Sequence, residues 1–344
     1  MVKSKKTVKA PAISATKTRT VASGMVTFGI ADPNLINATA ALQASQLAAM
    51  KAIGITSIRL DANWDWVQNS GPQTSDWTQL DQAVQSVRAA GMSVNLIIDG
   101  CPPWAALANT SGNGSATPAS SAQYATWAGQ VAARYAPKGV GIFEIWNEPN
   151  NANFWQGEAN AVAYTADLVA AYAAIKSVDP GAFVISGGLS PEATDGVNIS
   201  PIDFLTAMYA NGAKGSFDAL GYHPYSYPAL PNTYESWSAW SQMAQTNPSI
   251  RGVMKSNGDS SKQIWITEIG APTGGPDGVS QAAQATALTQ AIVNARAASW
   301  IGALYIYSWQ DEGTSQSTDE NWFGLVTAGN AHKSSYTAVA AALN

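Results

Sequence analysis

Short apolar runs alternate with longer alanine-rich stretches eight times along this 344-residue chain, and that alternation restricts the folds open to it more than any other feature. The runs are VTFGIAD (26–32), SIRLDANW (57–64), SVNLIIDG (93–100), GIFEIWNE (141–148), AFVISGG (182–188), DALGYHPY (218–225), QIWITEIG (263–270) and ALYIYSWQ (303–310). Their length and their β-branched and aromatic content read as strands. The stretches between them, among them 39–53, 77–90, 120–135, 160–177 and 281–298, repeat apolar residues at three and four, as one face of a helix does. Strand followed by helix implies parallel neighbours, because parallel strands need a crossover. Eight such units in a chain of this size predict an α/β protein with a single (β/α)8 TIM barrel, rather than an open doubly wound sheet. No glycine-rich phosphate loop follows the first run, which sets aside the simplest dinucleotide-binding alternative.

The barrel is expected to occupy residues 25–344, preceded by a disordered basic tail at 1–24. That tail holds Lys3, Lys5, Lys6, Lys9, Lys17 and Arg19 and no acid, so the net charge of −5 for the whole chain becomes −11 for the rest. An acidic barrel excludes nucleic acid as its partner. Charged residues make up only 12%, against about 25% in ordinary domains, so the surface must rest on small and uncharged polar residues. We read that balance as a secreted or extracellular protein, although the basic start lacks the apolar segment of a signal peptide. No run of 18 apolar residues is present, so no membrane span is expected. Cys101 has no partner for a disulfide and reads as a small buried residue. The stretch 109–121, rich in Gly, Ser and Thr, reads as a surface loop, and the protein is expected to be a monomer.

In a barrel of this kind functional residues gather at the C-terminal ends of the strands. Glu148 closes the fourth run, Glu268 lies near the end of the seventh, His223 and Tyr225 end the sixth, and Trp309 ends the eighth. The chain has only eight glutamates, and two of them stand at strand ends in polar, aromatic surroundings: Trp146-Asn147-Glu148-Pro149-Asn150 and Trp265-Ile266-Thr267-Glu268-Ile269-Gly270. Two carboxyl groups held about 5 Å apart, one protonated and one ionised, are what cleavage of a glycosidic bond with retention requires. One detail resists a regular strand. Asn147 and Glu148 are adjacent and should point to opposite faces, so both reach one cleft only if the strand end bulges or turns. Glu144 shares the parity of Glu148 but sits four residues earlier, which suits a structural role.

The residues F-E-I-W-N-E-P-N on the fourth strand and I-T-E-I-G on the seventh resemble glycoside hydrolase clan A, and families 39 and 5 within it most. The resemblance covers the barrel from about residue 25 onward. It implies a retaining β-glycosidase with Glu148 as acid/base and Glu268 as nucleophile. It further implies Asn147 on the sugar 2-hydroxyl, Arg59 beneath Glu268, and His223 and Tyr225 against the carboxylates or the substrate. Trp309 would floor the cleaving subsite, with a non-proline cis peptide at Trp309–Gln310. An oligo- or polysaccharide is then the partner.

The 13 tryptophans divide by position. Trp77, Trp127, Trp237, Trp240 and Trp300 fall with the helices, and Trp265, out of step with Glu268, should face the helices too. Trp64, Trp66, Trp104, Trp155, Trp309 and Trp322 fall in loops after strands, where indoles stack on the C–H faces of sugars. Several such platforms suit a long chain and hence endo action, with Trp64, Trp104 and Trp155 joining Trp309 as expected substrate-binding residues. The alternatives are an exo-acting glycosidase or a transglycosylase using the same site, or a catalytically silent sugar-binding barrel. A substrate-assisted mechanism of the chitinase type is disfavoured, since Asn147 rather than an acid precedes Glu148. With only His223 and His332 in the chain, no multi-histidine metal site is possible, and nothing demands a metal or organic cofactor.

Overall fold

The computed structural model describes residues 25–108 and 115–344, so the basic tail and the start of the 109–121 loop lie outside the described residues. All eight strands form where the apolar runs place them: β1 (Thr27–Ala31), β2 (Ser57–Asn63), β3 (Ser93–Asp99), β4 (Ile142–Asn147), β5 (Phe183–Gly188), β6 (Leu220–Tyr222), β7 (Ile264–Ile269) and β8 (Ile301–Tyr307). They pair in parallel in the order β5-β4-β3-β2-β1-β8-β7-β6. Single bridges from Ile185 to Ala219 and from Leu189 to Tyr222 join the two outer strands, so the sheet closes into a barrel. A helix follows each strand: α1 (Ala40–Ala52), α2 (Thr78–Ala89), α3 (Ser121–Tyr135), α4 (Ala161–Val178), α5 (Pro201–Ala210), α6 (Ile250–Ser256), α7 (Gln281–Ala297) and α8 (Ser334–Leu343). The chain folds as a (β/α)8 barrel.

The helix starts are set locally. Thr39, Ser120, Asn160, Ser200, Ser249 and Ser280 each accept a backbone N–H of the first turn, which satisfies donors that a helix start leaves unpaired. Among the described residues, α4 alone is long and apolar enough to cross a membrane. In this fold its Tyr164, Leu168, Ala171 and Ile175 are fully buried, and the Tyr164 hydroxyl donates to Ile145 O on β4 at 3.0 Å.

The barrel interior has an apolar layer and a polar one. Ala31, Ile185, Ala219, Trp265, Ala303 and Tyr305 form one buried cluster, with the Trp265 ring 5.0 Å from Phe183 and 6.4 Å from Tyr305. Trp265 therefore faces the barrel axis, contrary to its parity against Glu268. The ladder explains the discrepancy. Ile266 pairs with Leu304 but Ile269 with Ile306, so β7 carries one extra residue between them. Trp265 and Thr267 point inward in step, and beyond the extra residue Glu268 reaches the cavity as well.

β4 breaks its alternation differently. Trp146 has φ 71° and Glu148 φ 45°, both in the left-handed region that most side chains avoid. The Trp146 indole turns outward against Tyr124 and Trp155, while Asn147 and Glu148 both turn inward. The neighbouring strand has to come close here. A Cβ on Gly187 would meet Ile145 O at 2.7 Å, and one on Gly188 would meet Nε2 of His223 at 2.1 Å.

The eighth strand ends sooner than expected. β8 stops at Tyr307, and the non-proline cis peptide lies at Tyr307–Ser308 rather than at Trp309–Gln310. Inward parity runs through Ala303, Tyr305 and Tyr307. Trp309 has already left the barrel, is 4% exposed, and packs its ring 5.9 Å from Tyr336 of α8.

Candidate active site

The C-terminal ends of the strands surround a cavity of about 690 Å³. Arg59 of β2 lies beneath it, 5% exposed. Its Nε donates to Glu144 Oε2 at 2.8 Å, and Nη2 donates to Glu144 Oε1 at 3.2 Å and to Asn147 Oδ1 at 2.9 Å. Nη1 donates to Glu268 Oε1 at 2.5 Å. Glu144 is fully buried, and Asn95 Nδ2 (3.0 Å) and the Gly188 amide (3.2 Å) also donate to it. Glu144 is thus the structural counter-ion and Glu268 the one that opens on the cavity. Burial disfavours the arginine charge, but Glu144 and Glu268 more than compensate and hold the guanidinium firmly protonated.

The second carboxyl hangs from a histidine. His223, fully buried at the end of β6, bonds Glu148 Oε1 through Nδ1 at 2.8 Å and Thr267 Oγ1 through Nε2 at 3.0 Å. Asn151 Nδ2 approaches the other oxygen of Glu148 at 3.4 Å. Tyr225 donates its hydroxyl to Glu268 Oε2 at 2.8 Å. An oxygen of Glu148, an oxygen of Glu268 and a nitrogen of His223 all lie within 4.8 Å of one another. These are the donor atoms that could hold a cation, but each is already engaged, Glu268 by a guanidinium.

The two glutamates are pushed in opposite directions. Burial raises the Glu148 pKa above the ordinary glutamate value, and the hydrogen bond and charge of His223 only partly offset it. Burial works against the charge of Glu268 as well, yet His223, Arg59 and the Tyr225 hydroxyl together hold it below that value. Burial opposes the charged form of His223 as well, but the two carboxylates outweigh it and raise its pKa. The carboxyl that holds its proton more readily faces the one that ionises more readily, an arrangement able to donate a proton on one side and a lone pair on the other.

The aromatic residues divide otherwise than their positions suggest. Trp64 and Trp155 are buried beneath the loops, Trp64 stacked on Trp127 at 6.1 Å and Trp155 edge-on to Tyr164 at 6.0 Å. Trp104 stands edge-on to Trp64 and donates its indole N–H to Gln68 O. None of the three lines the cavity, and neither does Trp309. These rings lie where the loops themselves need apolar filling. Tyr307 stands where Trp309 was expected, and Tyr227, Phe323 and the exposed Trp66 and Phe154 complete the aromatic lining. Asp32, Asp61 and Asp99, at or just after the ends of β1, β2 and β3, line it too. Inward parity with Arg59 was the available signal for Asp61, and parity with Tyr305 was the signal for Tyr307. Phe323 and Glu320 come from the long loop after β8 and have no such signal.

The fold and this rim define the chain as a clan A glycoside hydrolase, a glycosidase. It belongs to glycosyl hydrolase family 5: the family described as Cellulase (glycosyl hydrolase family 5) matches residues 14–312. Among solved structures it is similar to a family 39 glycoside hydrolase from Bacteroides cellulosilyticus WH2, at 20% identity and a TM-score of 0.71, covering 92% of this chain and 63% of that one. A monomeric β-xylosidase from Caulobacter crescentus CB15 matches at 18% identity and a TM-score of 0.65, covering 92% of this chain and 67% of that one. A subfamily 18 member of family 5 from Streptomyces cattleya, in complex with GlcNAc, matches at 15% identity and a TM-score of 0.71, with 94% and 80% covered. At these identities the likeness establishes the fold. No curated protein matches the chain.

The polar layer generates a stability prediction. Glu144→Ala leaves Arg59 with one carboxylate in place of two, and truncating a buried ion pair costs about 3–5 kcal/mol. Denaturant unfolding is expected to show a loss in that range; a change under about 1 kcal/mol would mean that Glu144 is not the counter-ion that holds Arg59.

Proposed function

We propose that the protein is a retaining β-glycosidase working by double displacement, with Glu268 as nucleophile and Glu148 as acid/base. The observation that carries this reading is the approach of a Glu148 oxygen and a Glu268 oxygen to within 4.8 Å. Retaining enzymes hold their carboxyls about 5–5.5 Å apart, whereas inverting ones leave about 6.5–9.5 Å for a water. In the first step a Glu268 oxygen forms a bond to the anomeric carbon as the glycosidic bond breaks, and Glu148 gives its proton to the departing oxygen. In the second, Glu148 takes a proton from water, the water oxygen bonds to the anomeric carbon, and Glu268 is released. Arg59 and Tyr225 keep Glu268 ionised, and Asn147, held by Arg59, is placed for the sugar 2-hydroxyl. An alcohol in place of water would give glycosyl transfer from the same intermediate.

The test is the first-formed anomer, read by NMR, together with two variants. Glu268→Gln is expected to lose at least about 10⁴-fold in kcat. Glu148→Gln is expected to lose far more on unactivated glycosides than on aryl glycosides, whose leaving groups need little protonation. An inverted first product, or equal losses on both substrates, would overturn the assignment.

The opposed pKa shifts fix the sign of the pH response. Activity requires Glu268 ionised and Glu148 protonated. It should rise with pH through the pKa of Glu268, below the ordinary glutamate value, and fall through that of Glu148, above it. Tyr225→Phe removes one hydrogen bond from the charged form of Glu268. The acidic limb of the profile should therefore move to higher pH and the alkaline limb should stay, with kcat about 10-fold lower. An acidic limb unmoved by the substitution would count against Glu268 as the ionised group.

The lining also bears on the sugar. Asp32, Asp61, Asp99, Glu192 and Glu320 join the two central glutamates around the cavity, and Arg59, already shared between Glu144 and Glu268, is the only Lys or Arg lining it among the described residues. Burial pushes Asp32 and Asp61 up to about 6 and raises Asp99 well above the ordinary aspartate value, and one buried oxygen of Asp99 has no partner among the described residues. With its one cation already paired, this lining offers the hydroxyls of a neutral sugar hydrogen-bond partners and a uronic acid no counter-charge. An aryl β-glucuronide should be turned over at least about 100-fold less efficiently than the matched β-glucoside, and comparable kcat/KM values would refute this.

Chain length is the finer part of the reading. Trp66 (53% exposed) and Phe154 (38% exposed) stand at the lining's edge and give a second sugar an apolar face, which supports a substrate of two or more β-linked units. Endo action rested on six indoles after strands, of which Trp66 lines the cavity while Trp64, Trp104, Trp155 and Trp309 pack elsewhere. A glycan substrate and a surface poor in charge together support an extracellular setting.

A further inference from the structure

One buried ion pair lies outside the cavity, and the reaction makes no direct use of it. Lys333, just ahead of α8, and Asp311, just beyond β8, each have side chains 1% exposed. The Lys333 ammonium has three donors and spends all three: on Asp311 Oδ1 at 2.6 Å, on Thr273 Oγ1 at 2.7 Å and on the Trp322 carbonyl at 2.9 Å. Asp311 Oδ1 also accepts the Gly324 amide at 2.9 Å. Thr273, from the loop after β7, donates its own amide to the Trp322 carbonyl at 3.0 Å. Three separate segments are thus tied at one point, and a Cβ on Gly324 would meet the Asp311 amide at 2.2 Å, so the approach is tight.

The residue between the two clamped backbone groups is Phe323. Its ring stands 5.8 Å from Tyr225, 5.9 Å from Tyr227 and 5.3 Å from Tyr307, all edge-on, and all four line the cavity. Glu320, three residues earlier, also lines it and accepts the Tyr307 hydroxyl at 3.0 Å. Backbone hydrogen bonds from Leu325 to Ser308 and from Val326 to Trp309 fix the return of this loop, and the clamp holds the segment just ahead of it, at Trp322 and Gly324. We propose that Lys333 is a positioning residue for substrate binding: its buried pair with Asp311 holds the loop after β8 so that Phe323 and Glu320 form one wall of the cavity. The inference concerns the wall alone and does not depend on which glutamate attacks.

A lone buried charge would confound the test, so both members are changed together. The apolar pair Lys333→Met with Asp311→Leu removes every hydrogen bond that the two side chains make and leaves the backbone bond from Thr273 to Trp322. The milder pair Lys333→Gln with Asp311→Asn keeps polar groups, but glutamine carries two donors where lysine has three. Steady-state kinetics would use whichever aryl β-glucoside, β-mannoside or β-xyloside the unmodified enzyme turns over fastest, well below the unfolding temperature of each variant. The expected outcome is a KM raised about 10-fold by the apolar pair and about 3-fold by the amide pair, with kcat within about 3-fold of the original. A clamp that serves stability alone would lower the unfolding temperature and leave KM unmoved. An unchanged KM in either variant that folds overturns the proposal; if the apolar pair does not fold, the amide pair decides.

Discussion

The guanidinium of Arg59 is the group around which the rest of the site is arranged. A buried cation is tolerated only when it is paired and hydrogen-bonded, and Arg59 meets that condition with two carboxylates and an amide oxygen. Glu144 alone could neutralise it, which leaves the second carboxylate free to do something other than compensate charge. That second carboxylate is Glu268. The planar fork of arginine is what lets one side chain bind a structural glutamate along one edge and present another to the cavity. A lysine offers a point charge without that fork. Asn147 receives its orientation from the same fork, so the strand ends of β2, β4 and β7 are referred to a single centre.

Regular strands could not have supplied these side chains. In a pleated strand successive residues alternate, and a barrel buries one set while the helices cover the other. Asn147 and Glu148 both reach the cavity because the backbone at Trp146 and Glu148 adopts positive φ. Thr267 and Glu268 both reach inward because β7 carries one extra residue against β8. Positive φ at a tryptophan and a glutamate carries a steric cost that the surrounding packing has to offset, and such positions concentrate at functional sites. Glycines at 187 and 188 make the room, since any side chain there would collide with the β4 carbonyls or with His223.

This explains how far the sequence could be read. The eight strands and their helices were legible because periodicity survives irregularity: a run of seven residues remains apolar whether or not one of them is extra. The pairing of Glu148 with Glu268 was legible because both close a strand on the same rim. Facing was legible only where alternation holds. It predicted that Asn147 beside Glu148 demanded a break, but it misdirected Trp265, whose parity was counted from the wrong side of the extra residue. The eighth strand was read three residues too far at its end, so the inward role went to Trp309 when Tyr307 holds it. Trp64 and Trp155 show a different limit. An indole after a strand can stack on a sugar or fill the space beneath a loop, and only the positions of Trp127, Trp146 and Tyr164 decide between them. Phe323 and Glu320 owe their places to Lys333 and Thr273, which are distant in sequence and not periodic with anything.

The extra residue in β7 does more than aim one carboxylate. Thr267, inward before it, holds Nε2 of His223, and His223 holds Glu148. Glu268, inward after it, is held by Arg59 and Tyr225. Two consecutive residues of one strand therefore locate both carboxyls, one directly and one through an imidazole. The gap between the carboxyls is fixed by a peptide unit and a hydrogen-bonded ring instead of by the flexion of the whole barrel. The same ring links their charges, since an imidazole between two carboxylates has its pKa raised by both and returns a favourable interaction to each. That return is larger against the other influences at Glu268, where Arg59 adds to it, than at Glu148, where burial prevails. Geometry and electrostatics in this site thus have one origin: the place where β7 stops alternating.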